Sequence, residues 1–93
     1  MISKIFTPIT AVAAAGTSTG AASNVGRSRY VLVQNTAAAG TDYLVTLEES
    51  GGTDIGTFRI NGNSSMIIKK GTSNKIFAEH AAVFLTGVTV TTI

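Results

Sequence analysis

From Arg29 onward the chain consists of short apolar runs separated by turn residues, and this spacing constrains the fold more than any other feature. The runs recur about every ten residues, which is the pattern of an antiparallel sandwich or barrel. No window of helical length with a 3.6-residue period occurs in this half. We therefore predict an all-β, single-domain antiparallel β-sandwich or barrel of about six to eight short strands. The predicted strands are Tyr30–Gln34, Tyr43–Glu49, Ile55–Ile60, Met66–Lys70, Lys75–Glu79 and Val83–Thr92.

The Gly51-Gly52 pair predicts the register of one hairpin. Glycine tolerates the positive φ that both positions of a two-residue turn require, so Ser50 should face Thr53. One side of the hairpin should then lie in the core, and its facing pairs are Leu47 with Gly56, Val45 with Phe58 and Tyr43 with Ile60. The other side has the mixed character of a less buried surface, and its pairs are Glu48 with Ile55, Thr46 with Thr57 and Leu44 with Arg59.

The next loop, at residues 61–63, is expected to continue this sheet as a meander. A three-residue loop with Gly62 in the left-handed conformation would set Phe58 against Met66. A tighter Asn-Gly turn would pair Phe58 with Ser65, and both registers stay open. In the last run, Gly87 predicts a bulge or bend.

The N-terminal part differs in composition from the rest of the chain. Residues 2–10 are β-branched but contain Pro8, which has no N–H for a ladder and indicates an edge strand or an extended arm. Residues 11–26 are rich in Ala, Gly, Ser and Thr. Their glycines would interrupt a helix before it has enough hydrogen bonds to offset the free-energy cost of nucleation. We predict a loop there, so that residues 1–26 form an arm with its loop and residues 27–93 form the β domain.

Charge is scarce in this chain. Charged residues make up 13% of it, about half of the roughly 25% typical of soluble domains. Ala, Gly, Ser and Thr make up nearly half of the residues, and such small side chains allow close approach between surfaces. The net charge of +2 comes from few basic residues and does not indicate nucleic-acid binding. No apolar run has the length of a signal peptide or membrane span, so we expect a complete, soluble chain and no membrane partner.

Residue types that commonly act in catalysis or bind metals are nearly absent. His80 is the one imidazole and there is no cysteine, so we expect no catalytic residues, no cofactor and no metal, and we predict that the protein is not an enzyme. His80 is expected to be an exposed loop residue. Glu48, Glu49 and Asp54 flank the glycine turn and are an alternative calcium site, although acids at a solvated hairpin end are the simpler interpretation. The aromatic residues fall in strand runs and are expected to lie mostly in the core.

A chain with these properties fits a structural or binding module. It resembles the small virion proteins of tailed bacteriophages, most of all the capsid decoration or cement proteins. The resemblance rests on the opening Ile5–Thr10 followed by an Ala/Gly/Thr stretch, and on the runs Tyr30–Asn35, Tyr43–Leu47 and Ile55–Ile60.

The resemblance implies a homo-oligomer, a trimer or a dimer, on the outer surface of the virion capsid. It implies that the protein is made in the host cytoplasm, binds the major capsid protein or another virion protein, and stabilises contacts between capsid subunits. The N-terminal arm would make these contacts through Ile2, Ile5, Phe6, Pro8 and Ile9. Two alternatives stay open: a neck, tail or fibre component, and a small carbohydrate- or receptor-binding β module.

Overall fold

A computed structural model of the chain describes residues 4–92. These residues form eight strands and a short 3-10 turn at Thr19–Ala21, and the described part contains no α-helix. All six strands predicted from the sequence are present, each with ends within two residues of the expected ones. The strands are β1 (Lys4–Pro8), β2 (Ala13–Ala14), β3 (Tyr30–Asn35), β4 (Tyr43–Glu48), β5 (Asp54–Ile60), β6 (Ser64–Lys69), β7 (Lys75–Ala78) and β8 (Val83–Thr92).

The strands form two antiparallel sheets, which confirms the predicted all-β antiparallel sandwich or barrel. The larger sheet has the order β1-β8-β3-β6, and β2 also pairs with β8. The smaller sheet has the order β5-β4-β7. The core lies between the sheets and is almost entirely aliphatic, and its buried members are Ala15, Val25, Val31, Val33, Val45, Ile60, Ile76, Ala78, Val83 and Leu85.

The aromatic side chains do not belong to the fully buried core, contrary to expectation. Tyr43 and Phe58 are half-buried and pack against its margin. Phe6 is 41% exposed. The inner faces are filled by Val, Ile, Leu and Ala, and the larger rings are left at the margins and on the outer faces.

The register of the β4–β5 hairpin is as predicted over most of its length: Leu47 faces Gly56, Val45 faces Phe58 and Tyr43 faces Ile60. The turn itself differs. The Glu49 N–H donates to the Thr53 carbonyl at 2.8 Å, which leaves a three-residue loop, and of its two glycines only Gly52 has a positive φ, +95°.

A bulge beside the turn corrects for the extra loop residue. Glu48 faces Asp54 rather than Ile55, and the register shifts between Leu47 and Glu48. The added residue at Ile55 restores the predicted pairing beyond it.

The predicted continuation of this sheet into β6 is wrong in both registers. β6 pairs with β3 in the larger sheet, where Val33 faces Met66 and Val31 faces Ile68. Residues 61–63 therefore cross between the sheets. Asn63, with φ 57°, takes the left-handed conformation expected of Gly62. Gly62 is needed for a different reason, because a Cβ there would collide with the backbone carbonyl of Ala38.

The N-terminal segment is part of both sheets. β1 is an edge strand on β8, and Pro8 faces Val88 at its end. The Ala15 N–H donates to the Val83 carbonyl in the larger sheet at 2.8 Å. Within a few residues the chain reaches the smaller sheet, where Ser23 and Ile76 exchange hydrogen bonds of 3.0 and 2.8 Å. The segment predicted as a loop thus closes one side of the sandwich.

Gly87 does not form a bulge, since β8 pairs continuously with β3 through it. The irregularity lies instead on the other side of β8, where β1 and β2 pair with it in registers that differ by two residues. Residues 10 and 11, between β1 and β2, are the two additional residues. The Gly87 N–H donates to Thr10 Oγ1 at 2.8 Å. A Cβ on Gly87 would lie 2.8 Å from Ser28 Oγ and 2.9 Å from Thr10 Cγ2. Gly87 therefore permits a close approach rather than a bend.

Candidate interaction surface

The outer face of the larger sheet carries a contiguous set of apolar side chains. Side chains alternate between the faces of a strand, and the buried Val31 and Val33 mark the inner face of β3. Their neighbours Tyr30 and Leu32 therefore lie on the outer face, and the strand pairings extend that face across four strands. We call this surface the apolar face; its members are Phe6, Pro8, Tyr30, Leu32, Ile67, Phe84, Val88 and Val90.

The members of the apolar face are exposed to different degrees. Phe6 and Ile67, on the two edge strands, are 41% and 37% exposed. Tyr30, Leu32 and Phe84, on the central strands, are half-buried. Val88 is 1% exposed even though it lies outside the core between the sheets. Its neighbours on β1 and β3, Pro8 and Tyr30, flank it on the same face, so these three side chains form one row across the sheet.

Charge is distributed unequally between the two outer faces. Among the strand residues from 6 to 91 that lie on the outer face of the larger sheet, Lys69 is the only charged one. It lies at the end of the edge strand β6. The outer face of the smaller sheet instead carries Lys75, Arg59 and Glu79. Arg59 Nη1 and Glu79 Oε1 are 4.0 Å apart, with side chains 61% and 50% exposed. An exposed pair of this kind adds little stability, but it keeps that face hydrated.

The predicted contact residues lie partly on the apolar face. Phe6 and Pro8 belong to it. Ile9 follows β1 directly and is 54% exposed, but its position opposite Gly87 places it on the other side of the sheet. Ile5 is part of β1 and pairs with Thr91, and Ile2 lies outside the described residues.

The remaining members of the apolar face were not predicted, although the sequence held a signal for them. The run Tyr30-Val31-Leu32-Val33 is apolar at every position, and such strands are typical of sheets covered on both faces. The same holds for Met66-Ile67-Ile68 and for Val83-Phe84-Leu85. In all three runs one set of alternating side chains faces the core and the other set forms the outer surface.

The acids of the β4–β5 hairpin do not converge on a cation site. Among residues 4–92, no group of three or more His, Asp or Glu side chains is placed to hold a metal ion. Glu49 and Asp54 are exposed, as expected for a hairpin end. Glu48 is fully buried instead of solvated; its Oε2 accepts a hydrogen bond from Thr19 Oγ1 at 3.4 Å, and its Oε1 has no partner.

The lone histidine makes structural contacts in a turn. His80 is exposed in the turn between β7 and β8, as the sequence predicts. Its ring stacks on Tyr43, with centroids 4.7 Å apart and an angle of 7° between the planes. Its Nδ1 accepts a hydrogen bond from the Ala82 N–H at 3.0 Å. These contacts hold the turn in place.

No family model, characterised protein or solved structure matches the chain. The described residues include no helix that is long and apolar enough to cross a membrane. The grooves on the surface are open to solvent, and one of them lies at the margin of the apolar face, beside Tyr30 and Val90. The apolar face is therefore the candidate functional site, and its geometry suits contact with another surface rather than enclosure of a small molecule.

Proposed function

We propose that the protein is a structural virion protein that decorates the outer surface of a phage capsid and stabilises contacts between major capsid subunits. The observation that supports this proposal is the apolar face, a nearly uncharged sheet surface opposite a charged one. Large exposed apolar surfaces on small proteins mark interaction sites. A protein with one such face is expected to bind its partner through the apolar face and to leave the charged face in solvent.

Burial of apolar side chains drives the proposed contact. Tyr30 and Phe6 offer aromatic surface, which contributes strongly when it is fully desolvated. Each copy would make a modest contact, and many copies on a repeating lattice would strengthen the shell together, because linked sites add their binding free energies. Such a role requires no catalytic group, cofactor or metal.

The contact surface proposed here extends beyond the N-terminal arm. Phe6 and Pro8 contribute from β1, but they do so as part of a sheet that also presents Tyr30 and Leu32. β1 is hydrogen-bonded to β8, and Thr10 bonds Gly87. Removing residues 1–10 would therefore disturb the fold together with the surface, and single substitutions test the proposal more cleanly.

Co-sedimentation with capsids assembled from the major capsid protein of the same virus tests the proposal. We expect the wild-type protein to sediment with these capsids, and Phe6→Glu to weaken binding by about tenfold or more, since a buried charge without a partner opposes association. Ile55→Glu is the matched control, because Ile55 is 52% exposed on β5 in the smaller sheet. Equal binding by both variants, or no sedimentation of the wild type, would contradict the proposal.

One observation favours a carbohydrate- or receptor-binding module as a second candidate. Phe84, Gln34 and Ser65 lie in one row across β8, β3 and β6 on the outer face. An aromatic ring beside an amide and a hydroxyl is a combination that binds sugars. Binding to immobilised glycans that Phe84→Ala abolishes, without capsid binding, would favour this second function. Attachment at a neck, tail or fibre would be recognised by the symmetry of the bound protein in electron micrographs of virions.

A further inference from the structure

The two sheets have four edges, one of them shared by β1 and β2, and two of these edges are protected against pairing with another chain. In the smaller sheet, the Ser23 bridge to Ile76 covers β7, and the Ala78 N–H donates to the Gly16 carbonyl at 2.9 Å. In the larger sheet, β1 contains Pro8, which removes one donor from the free edge. Covering segments and edge prolines are devices by which natural sheets avoid edge-to-edge association.

The other two edges, β5 and β6, lie on the open side of the sandwich and differ in protection. β5 carries a bulge next to Ile55 and has Asp54 and Arg59 along its length. Bulges and charges are further devices that discourage pairing. β6, Ser64–Lys69, has no proline, bulge or glycine, and its one charged residue is at its end. β6 is therefore the one unprotected edge among the described strands.

The backbone of β6 has free hydrogen-bonding groups along this edge. In an antiparallel ladder, alternate residues direct their N–H and C=O groups toward the neighbouring strand. The Lys70 N–H donates to the Arg29 carbonyl at 2.8 Å, so the even-numbered residues of β6 bond to β3. Ser65, Ile67 and Lys69 therefore direct their N–H and C=O groups away from the sheet.

The side chains of β6 are also unusually exposed for an apolar strand. Met66 is 44% and Ile67 is 37% exposed, and they lie on opposite faces of the strand. A partner strand laid along this edge would cover both side chains at once. A free edge with strong β propensity and little charge is a site of strand addition.

We propose that β6 pairs with β6 of a second copy, antiparallel about a twofold axis at Ile67, and so joins two larger sheets into one continuous sheet. In this register Ile67 faces Ile67 of the second copy, and Ser65 faces Lys69 of the second copy. All residues with free backbone groups then lie opposite one another, which allows about six hydrogen bonds between strands. On the other face, Met66 packs against Ile68 of the second copy.

The sequence of β6 is suited to pairing with β6 of a second copy, and it favours the register with the twofold axis at Ile67. An axis at Met66 would place Ile67 opposite Ser65 and leave about four hydrogen bonds. An axis at Ile68 would place Ile67 opposite Lys69, again with about four. An axis at Lys69 would bring two like charges together, which is unfavourable in cross-strand pairs. The axis at Ile67 gives the most hydrogen bonds and pairs apolar side chains with one another.

The proposed dimer is one form of the homo-oligomer that the resemblance to decoration proteins implies, and its formation is independent of capsid binding. The dimer forms in solution without any capsid, so its failure and the failure of the proposed function are separate results. Phe6→Glu, which tests the apolar face, is expected to leave the dimer intact because Phe6 lies on the opposite edge strand.

Light scattering over a concentration series is the first experiment. We expect a dimer for the wild type and at least a tenfold weaker association for Ile67→Lys, since an edge lysine opposes pairing. Ile55→Lys is the matched control on the bulged edge and should dimerise as the wild type does. A wild-type monomer throughout the series, or equal weakening by both variants, would overturn the proposal; circular dichroism and thermal unfolding check that each variant is folded.

Cysteine crosslinking tests the register, and the chain offers a clean background because it contains no cysteine. Ile67→Cys places two thiols on facing residues about 5.5 Å apart between Cα atoms, within disulfide range. Ser65→Cys places its thiols about 14 Å apart along the strands, beyond that range. We expect oxidised dimers from Ile67→Cys and none from Ser65→Cys. Equal crosslinking from both, or none from Ile67→Cys, would overturn the assigned register.

Discussion

The side-chain amide of Asn35 in the larger sheet donates a hydrogen bond to the main-chain carbonyl of Ile60 in the smaller sheet at 3.0 Å. The same Nδ2 donates to the Thr41 carbonyl at 2.9 Å, and Oδ1 accepts from the Ala37 N–H at 3.0 Å. Asn35 is 2% exposed. A buried side chain thus joins the two sheets at the end where residues 61–63 cross between them.

Asn35→Ala is expected to lower the free energy of unfolding by about 2–3 kcal/mol, because it leaves a buried carbonyl unpaired and removes the link between the sheets. Gln34→Ala is the matched control, since Gln34 is the half-buried neighbour on the outer face. Its effect should stay within about 0.5 kcal/mol. Urea unfolding followed by circular dichroism measures both, and equal effects would contradict the assigned role of Asn35.

Gly87→Ala is expected to destabilise the protein by about 1–3 kcal/mol, because the added methyl group would contact Ser28 and Thr10 at 3.0 Å or less. Gly56→Ala is the control, because nothing lies within 4 Å of the position of its Cβ. Thermal unfolding should show a lower Tm for the first variant and little change for the second. An unchanged Tm for Gly87→Ala would mean that the packing around β8 relaxes freely.

The stability of the protein should depend on Lys70 at alkaline pH. Burial, and secondly the positive charge of Arg27, lower the pKa of Lys70 below its usual value of 10.5. Between the folded and unfolded pKa values the unfolded chain binds more protons, so the contribution of Lys70 to stability increases as pH rises through that interval.

Lys70→Met should therefore raise the free energy of unfolding at neutral pH and flatten its rise with pH just below pH 10.5. Lys69→Met, the exposed neighbour, is the control and should leave the pH profile as in the wild type. Urea unfolding at a series of pH values compares the three proteins. Parallel profiles for all of them would show that burial of Lys70 does not influence stability.

Glu48→Gln is expected to raise the free energy of unfolding at neutral pH by about 1–2 kcal/mol, because a neutral amide of the same shape loses less hydration than a buried carboxylate. The single hydrogen bond from Thr19, at 3.4 Å, compensates little of that cost. Glu49→Gln, at the exposed neighbouring position, should change stability by no more than about 0.5 kcal/mol. A loss of stability in Glu48→Gln would show that the carboxylate is well compensated.

Local sequence patterns determined the strands and one hairpin of this protein. Period-2 alternation and turn residues mark where each strand begins and ends, because they depend only on neighbouring side chains and backbone conformation. The β4–β5 register followed from the glycine turn, and a bulge at Ile55 compensated for the one extra loop residue. Exposure of His80 followed from its position between two strands.

The tertiary structure alone decided which strands meet. Residues 61–63 could turn back so that β6 pairs with β5, or cross to the other sheet so that β6 pairs with β3. The outcome depends on which of these two strands buries more of β6, and a local sequence pattern does not contain this information. The same holds for residues 11–26, whose small side chains show no periodicity but whose backbone completes hydrogen bonds in both sheets. The apolar face arises in the same way: its residues come from strands far apart in sequence, and only their pairing places Phe6, Tyr30 and Ile67 on one surface.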